Sequence, residues 1–256
     1  MAEIFDTHAH YNDGRFDSDR DELLASLEDK SVSAVINCGV DIESSYECLN
    51  LSERFPFLFT AAGYHPENIP EDGFFDESAL TELLQKDRIV AVGEIGLDYY
   101  WDNSRKEIQK VFFEKQLSLA EKLNMPVIIH SRDASKDTLD IVKRHKVSGV
   151  MHCFSGSVES AKEYLKLGFY LGFGGAVTFK KSKTAREVVS ITPLDRILLE
   201  TDCPYMATEP MRGKRNDSSL IIYVAEKIAE IKNVSTNEVL EKTQKNAKLL
   251  FGLKLE

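Results

Sequence analysis

The chain has 256 residues, with 42 acidic against 32 basic side chains and a net charge of −10. A chain of this length can bury a sizeable core without disulfide staples, and 43% hydrophobic with 29% charged residues argues against disorder. The acidic balance argues against a broad footprint on duplex DNA, where affinity comes from Lys and Arg neutralising phosphates, but not against an enzyme that meets nucleic acid only at its active site, where bound cations would add positive charge.

The first segment, MAEIFDTHAH, has no basic start followed by an apolar stretch. It reads directly into a strand near Ile4–His10 rather than as a secretory leader. A helix is predicted over Asp19–Lys30, then a strand over Val32–Val40 and a helix over Ser44–Arg54. The third pair is a strand near Leu58–His65 and a helix near Glu77–Lys86, and the fourth is Ile89–Asp98 followed by Lys106–Leu123. Pro126–Arg132 and Ser135–His145 form the fifth pair, and Gly149–Ser155 and Ser157–Leu167 the sixth. Strands near Tyr170–Gly175 and Ile197–Asp202 follow, then helices near Ser218–Lys232 and Ser235–Phe251. Ser235 precedes Glu238 at capping-box spacing, and Gly168 stands where a helix C-cap is expected.

Runs such as IVAVGEIGL and PVIIH are almost continuously apolar. Strands buried on both faces look like this, which favours a parallel sheet covered by helices. About eight βα units in roughly 250 residues match a (β/α)8 TIM barrel. The alternative, a doubly wound open sheet, would usually show a G-x-G-x-x-G turn after an early strand, and the chain has none. No linker or low-complexity stretch divides the chain, so residues 1–256 read as a single α/β TIM-barrel domain. No apolar run approaches the roughly 20 residues that span a bilayer. Cys38, Cys48, Cys153 and Cys203 form no C-x-x-C pair, so reduced thiols in a cytoplasmic enzyme are expected.

Five of the six histidines, His8, His10, His65, His130 and His152, fall at the C-terminal ends of predicted strands, and His145 is expected on a solvated helix end. In a barrel, those strand ends form the active face. His8 and His10 lie two apart, so on a strand both imidazoles point the same way and suit a divalent transition metal. Glu94 interrupts an apolar strand, where a carboxylate is costly unless paired or metal-bound. Its two oxygens could bridge two ions. Singly, His130 and His152 read as core histidines; beside the first pair they read as ligands. Asp202 closes ILLETD and could bind a metal and orient a water, or cap the next segment. Glu200, deeper on the same face, reads as support for the ligands. His65 is either a further ligand or a donor to substrate phosphate. Arg132 suits bidentate phosphate binding, or a salt bridge to Asp133 or a nearby carboxylate. By strand alternation, Cys153 and Cys203 should point away from the metal face and serve packing. Two basic stretches, Arg212/Lys214/Arg215 and Phe179–Lys183, are expected on the active rim.

In order, DTHAH, AAGYHP, VGEIGLDYY, VIIHSRDA, HCFSGS, LGFGG, LLETDCPY and RGKRN resemble the TatD family of metal-dependent deoxyribonucleases, from the amidohydrolase-like superfamily of TIM barrels. The likeness runs from about residue 4 to residue 250. It implies two divalent ions (zinc, manganese or magnesium). His8, His10, Glu94 and Asp202 would hold one, and Glu94, His130 and His152 the other. Asp202 would also accept the proton of the attacking water, as the catalytic partner of Glu94, and His65 and Arg132 would contact substrate phosphate. The resemblance further implies 3′-to-5′ hydrolysis of DNA, while the acidic chain with its narrow basic rim suggests that a single strand or an end enters the mouth of a protein expected to be a monomer. The chain departs from the family pattern at Asp217-Ser218, where many relatives have Glu-Pro, and at Cys203, where a small Ala is usual. The rivals are a small-molecule or aminoacyl-tRNA ester or amide hydrolase on the same scaffold, and a non-catalytic metal-binding protein.

Overall fold

The computed structural model describes residues 3–254. Eight parallel strands pair in chain order: β1 (Ile4–Ala9), β2 (Val32–Cys38), β3 (Leu58–Ala62), β4 (Ile89–Asp98), β5 (Val127–Arg132), β6 (Gly149–Met151), β7 (Tyr170–Phe173) and β8 (Ile197–Leu199). A parallel bridge between Ala9 and Cys203 and the Asp202 N–H to His8 carbonyl bond, 2.9 Å, bring the last segment back to β1. The result is the expected TIM barrel. Its helices are α1 (Arg20–Leu27), α2 (Ile42–Arg54), α3 (Glu77–Leu84), α4 (Lys106–Leu123), α5 (Ser135–Val142), α6 (Val158–Lys166), α7 (Lys183–Ile191), α8 (Ile221–Lys232) and α9 (Thr236–Phe251).

Strand alternation splits the apolar residues into two clusters. Phe5, Ile36, Phe59, Ala91, Ile128 and Leu198 belong to the inner one, which Phe251 of α9 joins, its ring 6.5 Å from that of Phe5. Ile4, Val35, Leu58, Ile129 and Leu199 belong to the other, with helix residues such as Leu24, Phe113 and Ile228. Four register shifts interrupt the alternation, and two of them bear on the site. From Asp6 to Ala9, β1 advances three residues while β2 advances two, Val35 to Asn37. From Val92 to Ile95, β4 advances three while β5 advances two, Val127 to Ile129. A bulge re-aims the side chains beyond it. Phe5 and Ala91 therefore share the inner side with His8 and Glu94, three residues further on.

Several strands end earlier than the sequence suggests. β3, β6 and β8 stop at Ala62, Met151 and Leu199, so His65, His152 and Asp202 stand on loops. Cys153 and Asp202 have left-handed backbone, φ 44° and 57°. Helix α7 was not anticipated: KTAREVVSI is short and rich in β-branched residues, although Ala185, Val188 and Val189 carry helical spacing. Ser235 Oγ accepts the Glu238 N–H at 3.1 Å, and Gly168 has φ +85°, as their capping signals imply. His145 is less exposed than expected; its side chain is half-buried, with Nδ1 3.5 Å from Glu121.

Candidate metal centre

All six expected ligands meet at the C-terminal mouth of the barrel. Glu94 is the centre of the cluster. Its Oε2 lies 3.2 Å from His8 Nε2 and 3.6 Å from His10 Nε2. Its Oε1 lies 3.1 Å from His130 Nδ1, 3.6 Å from His152 Nε2 and 3.7 Å from His65 Nε2. Asp202 Oδ1 completes the first side, 3.5 Å from His10 Nε2 and 3.8 Å from His8 Nε2. The two imidazole nitrogens of His8 and His10 face each other at 3.0 Å.

This donor set fits divalent cations. Metal–nitrogen bonds of about 2.0–2.1 Å place neighbouring ligand atoms roughly 3–3.4 Å apart, close to the separations on the Oε2 side. Three groups of donor atoms, His8/His10/Glu94, His8/His152/Asp202 and His65/Glu94/His130, each lie within 4.8 Å of one another. The site's electrostatics point the same way. Burial alone would raise the Glu94 carboxyl, but His8, His152, His65 and His130 hold it well below the ordinary carboxylate range. Burial opposes charge on His152 as well, yet Glu200 and Glu94 draw it up to about 10. Negative groups thus demand positive charge in the cage, which cations meet by displacing ring protons.

Outer partners set the rings. His10 Nδ1 faces the Cys38 carbonyl at 2.9 Å, so this nitrogen holds the proton and Nε2 is left as the donor atom. Asp98 Oδ2 lies 2.9 Å from His130 Nε2, which leaves Nδ1 for the cage; burial opposes the charged ring, but Asp98 and Glu94 raise it to about 9. Glu200 is fully buried, with Oε1 3.3 Å from His152 Nδ1, and it also accepts the Cys153 N–H. His65 is set the other way. Its Nδ1 accepts the Glu67 N–H at 3.2 Å, and burial lowers its pKa to about 3. A neutral His65 therefore carries its proton on Nε2 and presents a donor to the cage.

Among the described residues, Asp202 makes no N-cap bond with its side chain; the carboxylate faces His10 and stays ionised, because His10, His152 and His8 outweigh burial. Arg132 forms no ion pair with Asp133 among the described residues. Its guanidinium rests 3.8 Å from the Tyr100 ring and 5.3 Å from Trp101. Arg215 pairs with Asp19 and so anchors its loop, whereas Lys181 and Lys183 line a cavity beside the cage.

Three features escaped the sequence reading. Asp98 lies at an even spacing from Glu94, so the period of two could have found it. Asp6 is a fully buried carboxylate that accepts from Ser218 Oγ, Thr201 Oγ1 and the Thr201 and His8 amides. The departure from the family pattern at Asp217-Ser218 is accommodated in the same cluster, where Ser218 is tied to Asp6 and Tyr11. Cys153 is not a packing residue. Strand β6 ends before it, and the residue lines the same cavity as His152 and Asp202. Cys203 is fully buried, as expected.

Two cavities of about 640 and 480 Å³ adjoin across His130, Arg132, His152, Asp202 and Met206. An eight-stranded parallel barrel with this His/Glu/Asp cage at its mouth defines a metal-dependent hydrolase. Comparison with known proteins agrees. The model of a family described as TatD related DNase matches residues 5–252. A Bacillus subtilis protein named uncharacterized metal-dependent hydrolase YabD is 43% identical over 98% of this chain and 99% of its own. The 3′-5′ ssDNA/RNA exonuclease TatD of Pantoea vagans is 32% identical over 98% of this chain and all of its own length, 100%. The crystal structure of the Escherichia coli TatD homologue YjjV superimposes with a TM-score of 0.88 at 30% identity, covering 98% of each chain. The chain belongs to the TatD family of metal-dependent hydrolases.

Proposed function

We propose that the cage holds two divalent cations bridged by Glu94, and that the protein hydrolyses DNA phosphodiester bonds from the 3′ end of a single strand. The observation that carries this reading is the division of the Glu94 carboxylate, with one oxygen toward His8 and His10 and the other toward His130 and His152. Asp202 joins the first group. Zinc or manganese suits so many imidazoles better than magnesium. Polarity and substrate class rest on the likeness to the 3′-5′ ssDNA/RNA exonuclease TatD of Pantoea vagans.

Ions at these positions would polarise the phosphoryl oxygens and acidify a water. The remaining work belongs to the chain. Ionised Asp202 accepts the proton of the attacking water. His65 Nε2–H donates to a phosphoryl oxygen rather than binding a metal, because its Nδ1 is already occupied as an acceptor. Arg132, in no ion pair among the described residues, takes a neighbouring phosphate through its planar fork. Lys181 and Lys183 line the second cavity, and their charge suits the continuing backbone in an otherwise acidic protein.

Elemental analysis of the purified protein, paired with hydrolysis of 3′- and 5′-labelled single strands before and after chelation, tests the reading. Two metal equivalents and release of mononucleotides from the 3′ end support it. Turnover of lactones, N-acyl amino acids or aminoacyl-tRNA with no DNA hydrolysis would replace it with the rival hydrolase.

A further inference from the structure

Tyr100 and Trp101, in the turn after β4, are 54% and 64% exposed. Large aromatics left in water beside a charged site are unusual on packing grounds alone. Trp101 is also the chain's single tryptophan. The two rings meet edge to face, with centroids 4.9 Å apart and planes at 85°, and the Arg132 guanidinium lies against both. The turn is held by Asp98. One carboxylate oxygen accepts the Tyr100 and Trp101 amides at 2.8 and 3.3 Å, and the other faces His130 Nε2 at 2.9 Å. A single buried carboxylate therefore fixes the aromatic turn to a ring of the cage. Trp101 lines the same cavity as His10, Glu94, His130 and Asp202.

We propose that Trp101, with Tyr100 and Arg132, is a stacking platform for an unpaired nucleobase next to the scissile phosphodiester, and that it makes the protein select single strands. The inference rests on the DNA-hydrolase reading above and adds the element that recognises the base. Every base offers a π-face, so such a platform binds without sequence preference. Arg132 offers one face of its guanidinium to the aromatic rings and its N–H edge to a phosphate, which couples base stacking to backbone position. A base within a duplex is already stacked and cannot occupy the platform.

The single tryptophan supplies the test. A phosphorothioate-linked oligothymidylate, which resists hydrolysis, is titrated into the metal-loaded protein while Trp101 fluorescence is recorded, against an abasic strand of the same length. Quenching by the base-bearing strand, and much less by the abasic one, is expected. In kinetics, Trp101→Ala raises KM for single-stranded DNA about 10- to 100-fold, the range of one lost base stack. The effect falls on KM rather than kcat, the preference for base-bearing over abasic strands disappears, and Trp101→Phe restores part of it. Equal quenching by both strands, or equal losses by Trp101→Ala on both, overturns the platform. If the wild-type protein with metal cleaves no strand, the nuclease reading fails instead. If it cleaves DNA and Trp101→Ala keeps its KM, only the platform fails.

Discussion

Gly172 on β7 lies against the carboxylate that supports His152, and replacing it with alanine isolates that support. A Cβ at position 172 would strike Glu200 Oε2 and sit 2.8 Å from its Cδ and 3.1 Å from Oε1. Normal carbon contacts begin near 3.5 Å, so the carboxyl must retreat by about 0.7 Å or more. Glu200 is fully buried, so its carboxyl cannot retreat into solvent. Its bond to the Cys153 N–H and its 3.3 Å approach to His152 Nδ1 are what give way. Loss of such outer support costs about 10- to 100-fold in metal affinity, or roughly 1.4–2.7 kcal/mol. Overpacking adds about 1–3 kcal/mol of destabilisation, which for a chain of this size lowers Tm by roughly 2–12 °C. Competition with a chromophoric chelator measures the affinity, and thermal denaturation measures the stability. Gly172→Ala combined with Glu200→Ala relieves the clash, so the double variant should bind metal no more weakly than Glu200→Ala alone. Unchanged affinity in Gly172→Ala, or simple additivity in the double variant, would refute the coupling.

Asp202→Asn should lower kcat about 10²- to 10⁴-fold while leaving the circular dichroism spectrum intact; wild-type turnover would remove Asp202 as proton acceptor. Asp98→Asn takes the charge from the partner of His130, and a loss of about 10- to 100-fold in metal affinity is expected by equilibrium dialysis. Chelation should abolish hydrolysis and lower stability by about 3–4 kcal/mol, for free metal at 100–1,000 times its Kd, as read by thermal denaturation with and without added metal. Burial carries the Asp6 carboxyl from 3.8 to about 7, against the bonds from Ser218, Thr201 and His8. The folded chain then keeps a proton that the unfolded chain has released, so this group's stabilisation is whole below 3.8 and is lost as pH rises through about 7. Asp6→Asn should flatten that decline in Tm, and parallel Tm–pH curves for variant and wild type would disprove it.

Much of this protein was legible in one dimension. Continuous apolar strands alternating with amphipathic helices determine a parallel barrel, because each strand is buried on both faces. Histidines placed at strand ends determine where a metal site forms, because those ends share one rim. The pair His8/His10 needs only the two-residue period. Other features depend on tertiary contacts. The bulges in β1 and β4 turn Glu94 and the His8/His10 pair to the inner side, and a bulge is a property of pairing with a neighbour rather than of local composition. His65 had two open roles, and the Glu67 amide on its Nδ1 decides between them. Cys153 followed strand alternation only on paper, since β6 ends at Met151 and the backbone turns left-handed. Arg132 rests on aromatic rings instead of a carboxylate because Asp98 holds Tyr100 and Trp101 beneath it. Residue types and their spacing name the donors; hydrogen bonds between residues distant in the chain decide which atom of each donor faces the cage.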